Sequence, residues 1–234
     1  MNKTIVGGLF YIVENFKVNN IVIGKQAEKY TNLVSFLKLQ QKKNIKLKVL
    51  ENGDILNFDK ETKIEVLFPN IHYEISENKI NNNSLVFKMY YKDLSILFTG
   101  DIEEVTEKVL VKLYGEKLKT DILKVGHHGS KTSSTEEFIN LIKPKIALIG
   151  VGKNNNFGHP NEEIIERLEK VGAKIYRTDE DGEISIIVAT HYSAPYVPRY
   201  KCFNVFTLTV FKAVNCNNPV FNKKNKLQLK VVAK

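Results

Sequence analysis

The sequence predicts a mixed α/β or α+β domain, a sheet with helices packed outside it. Between residues 20 and 188, apolar runs bounded by turn residues alternate with stretches of helical periodicity. Apolar residues make up 43% of the 234 and charged residues 26%, the balance of a folded globular chain rather than a disordered one. No apolar stretch reaches the roughly 18 residues that a membrane-crossing helix needs. The two cysteines, Cys202 and Cys216, are too few for a disulfide scaffold or a cysteine-built zinc finger.

Taken in order, Ile21-Val22-Ile23 reads as a short strand ending at Gly24, and Lys29–Lys38 as a helix with Leu33, Phe36 and Leu37 on one face. Ile45–Leu50 and Ile55–Phe58 flank Asn52-Gly53, which predicts a hairpin between them. Lys63–Phe68 is a further strand, and the polar stretch Asn70–Asn83 a loop. Ser84–Tyr91 and Leu94–Thr99 predict a second hairpin about Lys92-Asp93. Asp101 is placed to cap a helix over Ile102–Tyr114, followed by a strand at Ile122–Val125. Ser133 and Glu136 predict a capping box for a helix ending at Ile142. Ile146–Val151 reads as a buried strand, and Asn161 caps a helix that reaches Val171 and stops at Gly172. Lys174–Arg177 and Glu183–Val188 close the domain around Asp181-Gly182. No internal repeat is present.

Charge marks a boundary near Val188. Of the 35 basic residues, eight lie between Ala189 and Lys234, where there is no Asp or Glu. Residues 1–188 hold the other 27 basic residues against all 26 acidic ones, so the net charge of +9 belongs mainly to the tail. The first residues, Met1 to Gly8, carry a single Lys and no apolar core, so no secretory signal is read there.

Three of the five histidines stand in loops that follow predicted strands. His127-His128 follows Lys124-Val125-Gly126, and His159 lies in Phe157-Gly158-His159-Pro160, while Asp101 ends Leu97-Phe98-Thr99-Gly100. If these strand ends share one edge of the sheet, an Asp and two or three His converge there, a donor set suited to Zn²⁺ or Mn²⁺. Residue type alone leaves other readings open: Asp101 as a plain helix cap, the His pair as a solvated loop.

Five ordered strings narrow the choice: Asn83-Ser84-Leu85-Val86, Leu97-Phe98-Thr99-Gly100-Asp101, Leu123 through Ser133 with His127-His128-Gly129-Ser130, Gly158-His159-Pro160, and Tyr176-Arg177-Thr178-Asp179 with Gly182. Together they resemble the metallo-β-lactamase-fold domain of ComEC-type competence proteins and their soluble bacterial relatives, from about Gly7 to Ile187. The resemblance implies an αββα sandwich with two divalent ions, Zn or Mn, at one edge of its sheets. It also implies a nuclease or other phosphodiesterase acting in DNA uptake, with DNA as substrate and a membrane channel component as partner. Compartment stays open between cytoplasm and export. By the resemblance, Asp101 is the metal carboxylate, His128 a ligand, and His127 a donor facing substrate. His159 is a rim ligand or phosphate donor, and Asn83, Ser84, Ser130 and Ser133 bind substrate, with the serine N–H groups holding phosphate at a helix start.

The chain departs from this family at its start. The family's His-x-Asp-x-Asp-His string precedes a Gly-Gly-Leu, and here Thr4-Ile5 stand where Asp-His belongs before Gly7-Gly8-Leu9. A truncated member lacking about half of the ligands is the expectation, either inactive or acting as an accessory DNA-binding module. A phosphorylcholine-esterase-like activity is an alternative within the enzyme class. For residues 189–234, in which Phe203–Phe211 and Lys226–Val232 alternate like strands, three readings stand. The tail is an extra hairpin, a basic arm for nucleic acid or anionic membrane, or a segment without a selected role.

Overall fold

The structure, a computed structural model, describes residues 3–25, 31–187, 207–210 and 232–233. The chain opens with α1 (Lys3–Asn15), β1 (Asn20–Gly24), α2 (Thr31–Lys42) and β2 (Lys46–Leu50). The central strands are β3 (Ile55–Asn57), β4 (Thr62–Phe68), β5 (Val86–Tyr91) and β6 (Leu94–Phe98), with the single turn α3 (Lys79–Asn82) before β5. Then come α4 (Glu104–Tyr114), β7 (Ile122–Lys124), α5 (Glu136–Ile142), β8 (Ile146–Ile149), α6 (Glu162–Lys170) and β9 (Lys174–Arg177). A short α7 (Thr178–Asp181) leads into β10 (Ile184–Ile187), and the described tail residues form β11 (Thr207–Val210) and β12 (Val232–Ala233).

A seven-stranded sheet runs β3-β4-β5-β6-β7-β8-β9. It is antiparallel from β3 to β6 and parallel from β6 to β9. The parallel half is covered on both faces, which explains why Ile96-Leu97-Phe98 and Ile146–Ile149 read as continuous apolar runs rather than as alternation. On one face Leu97, Leu123, Ala147 and Ile149 pack with Leu110 of α4, Phe138 and Ile142 of α5, and Ile164 and Leu168 of α6. On the other, Met89, Ile96, Ile122 and Leu148 meet Ile184 and Ile186 of β10. Register explains the split: Ile96 pairs Ile122, while the neighbouring Leu97–Leu123–Ala147 row points to the opposite face. β10 pairs antiparallel with β11 on one side and β12 on the other. The mixed α/β class expected from the sequence is the one observed.

The structure corrects several local expectations. Asn52-Gly53 does not join a hairpin, because β2 pairs in parallel with β1 and β3 pairs with β4. The Asn-Gly turn instead carries the chain from one sheet to another, with Asn52 N–H donating to Pro69 O and Gly53 N–H to Val66 O. The second hairpin forms as expected, with Lys92 in the left-handed region (φ 52°) and Tyr91 opposite Leu94. Asp101 does not cap α4; Glu103 occupies that position in extended conformation. Ser133 is no capping box either: its hydroxyl donates to Gly126 O and Ser130 O, Ser134 turns left-handed, and Thr135 caps α5. Asn161 caps α6 as expected, its Oδ1 accepting from Glu163 N–H. After Arg177 the chain makes α7 and crosses to the second sheet rather than turning back at Asp181-Gly182. Lys29 and Tyr30, at the head of the expected first helix, lie outside the described residues, as does most of the tail with His191. No helix among the described residues is long and apolar enough to cross a membrane.

α4 and α5 are tied by one buried acid. Glu107 is 1% exposed, and its carboxylate accepts from Ser134 N–H (Oε1) and Thr135 N–H (Oε2) at the head of α5. Burial raises its pKa above the ordinary 4.5, and the two backbone N–H groups oppose the rise. Glu107→Ala leaves both N–H groups without their acceptor and is expected to cost about 2–4 kcal/mol in urea unfolding. Between the ordinary carboxyl value and the raised folded value, the folded state holds a proton that the unfolded state has released. Stability from this group therefore falls as pH climbs through that window, and Glu107→Gln is expected to remove that slope.

Candidate functional site

The parallel half of the sheet sends the C-terminal ends of β6, β7 and β8 to one edge, each followed by a loop. These loops carry Asp101, His127-His128 and His159, so the convergence expected from spacing is present. His128 Nε2 lies 3.8 Å from Asp101 Oδ1, and the His127 and His159 rings are 6.0 Å apart.

Single hydrogen bonds lock the loops together. His127 N–H donates to Gly100 O at 3.1 Å, joining the β6 and β7 loops, and Asp101 N–H donates to Ser84 Oγ at 3.2 Å. Asn161 N–H donates to Gly129 O at 2.8 Å, joining the β7 and β8 loops. The His pair itself is strained: His127 (φ 46°, ψ 40°) and His128 (φ 57°, ψ 20°) are both left-handed. Such a turn brings two neighbouring side chains out at the same strand end with different partners.

Those partners sort the two imidazoles. His128 Nδ1 sits 2.6 Å from Gly150 O, and a carbonyl only accepts, so Nδ1 carries the proton and Nε2 is the nitrogen turned toward Asp101. His127 Nδ1 is 3.3 Å from Glu103 Oε1 and 3.4 Å from Thr132 Oγ1, while its Nε2 faces the Asn81 amide at 3.4 Å. Glu103 is in turn held by Asn78, Asn82 and Thr132, and its N–H donates to Asn82 Oδ1. Glu103 and Asn81 were not legible as site residues in the sequence. The only sequence signal is Glu103's place two residues after Asp101, and a contact between separate loops leaves no spacing to read.

His159 is partly buried, and burial, followed by the neighbouring His127 and His128, holds its pKa below the ordinary histidine value. Lys124 runs beneath the site: its Nζ donates to Val125 O, and its chain passes so close to Gly150 that a Cβ there would lie 3.3 Å from Cε. Burial lowers the Lys124 pKa and the charge of Asp101 opposes the fall.

The four residues expected to bind substrate have these surroundings. Asn83 is buried and its amide donates to Ile75 O and Lys79 O. Ser84 holds the Asp101 backbone. The N–H groups of Ser130 and Ser133 close their own turns onto His127 O and Ser130 O, and the head of α5 is already occupied by the Glu107 carboxyl group. Among the described residues no group of three His, Cys, Asp or Glu side chains gathers closely enough to hold an ion. Asp101 and His128 are suitable donors, but a catalytic zinc takes about three protein ligands. The described residues therefore do not form a metal centre by themselves, and no step through an ion follows from them.

A sheet whose strand-end loops present Asp and paired His in this order defines a class. The description "Metallo-beta-lactamase superfamily" matches residues 5–153, and the chain belongs to that superfamily. The chain is 33% identical over 179 residues to ComE operon protein 3 of Bacillus subtilis, covering 76% of this chain and 22% of that protein. It is 36% identical over 104 residues to competence protein ComA of Neisseria gonorrhoeae, covering 44% and 15% respectively. The similarity to ComEC-type competence proteins is thus borne out, and the chain spans about a fifth or less of those relatives' length. Among solved structures, CmlA, a diiron β-hydroxylase from Streptomyces venezuelae, aligns with a TM-score of 0.46 at 10% identity, covering 72% of this chain and 40% of that one.

Gly129 tests how tightly the loops are joined. It has φ +79°, and a Cβ there would lie 2.6 Å from Pro160 Cβ. Gly129→Ala is expected to lose about 2 kcal/mol or more in urea unfolding and to shift the His159 ring signals in NMR, because the β8 loop must retreat.

Proposed function

We propose that this chain presents one side of a phosphodiester-hydrolysing site of the DNA-uptake kind. The carrying observation is the sorted His pair: Nδ1 of each is tied, His128 Nε2 faces Asp101 and His127 Nε2 faces the Asn81 amide. In this reading Asp101 and His128 are the two donors the described residues offer to a divalent ion, completed by donors outside them. In hydrolysis a water oxygen bonds to phosphorus and releases a proton to solvent as one P–O ester bond breaks, and the leaving oxygen takes up a proton. His127, held through Nδ1 by Glu103 and with the Asn81 amide 3.4 Å from its Nε2, is in this reading the donor of that proton. His159 borders the same space. The competence relatives favour DNA over other phosphodiesters as substrate.

The test combines elemental mass spectrometry of the chain after loading with zinc or manganese and cleavage of a single-stranded oligonucleotide with and without chelator. Ion retention, chelator-sensitive cleavage, and loss of both in Asp101→Ala and His128→Ala support the proposal. His127→Ala is expected to keep the ion and lose cleavage. Cleavage unchanged in Asp101→Ala would overturn it.

A second reading rests on the absence of a third donor among the described residues. It makes the chain a DNA-binding module without turnover. It predicts no retained ion and chelator-insensitive binding whose affinity falls with salt at about −0.7 log units per log unit of salt for each phosphate neutralised.

A further inference from the structure

The loop between β8 and α6 exposes an aromatic ring and leaves it largely uncovered. Phe157 is 69% exposed, so packing gives it little stabilisation. A lone exposed apolar side chain is ordinary on a protein surface, but this one stands on a clamped turn beside a second ring. Its ring lies against the His159 ring at 5.8 Å between centroids and 17° between planes. Gly158, at φ +66°, makes the turn that brings residues 157 and 159 face to face.

Asn155 clamps the turn from both sides. Its Oδ1 accepts from Phe157 N–H (3.1 Å) and His159 N–H (3.0 Å), and its Nδ2 donates to His159 O (2.6 Å) and Gly152 O (3.2 Å). His159 covers part of the Phe157 ring, and most of the side chain's surface stays open to solvent. His159 in turn lies 6.0 Å from His127, so the three rings form a short series leading out of the site. The loop from Gly150 to Asn161 contains no Asp or Glu, and Lys153 is exposed within it; the nearest acids in sequence are Glu162 and Glu163 at the start of α6.

We propose that the exposed ring of Phe157 is a stacking platform for a nucleobase of single-stranded nucleic acid whose phosphate lies at the histidines. The inference rests on the phosphodiester reading and narrows its substrate to strands whose bases are unpaired. A base inside a duplex already has both faces covered by its neighbours, whereas a single strand offers a free π-face to an aromatic ring. A ring on a clamped turn also spends less ordering entropy on binding than one on a free loop.

The chain has no tryptophan, which makes the test direct. Phe157→Trp installs a single fluorophore at the platform, to be titrated with a thymidine oligonucleotide and with an abasic oligonucleotide carrying the same number of phosphates. The fluorescence is expected to be quenched by the first and not by the second. In anisotropy titrations Phe157→Ala is expected to weaken thymidine-oligomer binding by about 5- to 100-fold, to leave abasic binding unchanged, and to be rescued by Phe157→Tyr. If wild type and Phe157→Ala bind both oligomers alike, the platform falls while the phosphodiester reading stands. If the wild-type chain binds neither oligomer, both fall together.

Discussion

The direction of four neighbouring strands governs this molecule. From β6 to β9 each strand runs the same way as the last, and parallel neighbours cannot be joined by a tight turn. Every connection must cross back over the sheet, here through α4, α5 and α6. All crossings therefore begin at one edge, and the residues that open them are brought together whatever their distance in sequence. Asp101, His127-His128 and His159 are neighbours for this reason. Among the antiparallel strands, the β4–β5 connection reaches the same edge, where Asn81 faces His127 and Ser84 holds the Asp101 backbone.

Convergence alone would leave the side chains loosely aimed. The left-handed pair His127-His128 costs about 1–2 kcal/mol per residue. Hydrogen bonds worth about 1 kcal/mol each offset it: His127 N–H to Gly100 O, Ser130 N–H to His127 O, Ser133 Oγ–H to Gly126 O, and His128 Nδ1–H to Gly150 O. Each of these also reaches into a neighbouring loop or closes the turn, so the groups that hold the strain are the ones that fix the imidazoles. Gly150 serves twice, as the acceptor for His128 and as the gap through which Lys124 passes.

The sequence made the main sheet and its helices legible because buried parallel strands leave unbroken apolar runs between turn residues. It misled where a local rule met a longer-range one. Asn52-Gly53 has hairpin chemistry, but β2 had a better partner in β1 through the α2 crossover. Ser133 has the spacing of a capping box, yet Ser134 turns left-handed first and Thr135 becomes the cap. The chemical residues Asp101, His127, His128 and His159 stood out by type and by their place after strands. Glu103 and Asn81 did not, since what makes them part of the site is a contact between loops about 20–50 residues apart, which no local pattern encodes.

The opening unit has a different standing from the rest. α1, α2, β1 and β2 share a small core of their own, with Val13, Phe36 and Ile45 buried and Phe10, Val18, Ile21 and Leu39 around them. It meets the main body where Gly24 lies against Leu85 and Pro69. The main core, by contrast, runs unbroken through three helices and the large sheet. A unit whose described residues share so small a core is expected to open at lower free energy than the main body, so that hydrogen exchange in α1 and β1 outpaces exchange in the strands behind Asp101 and the histidines.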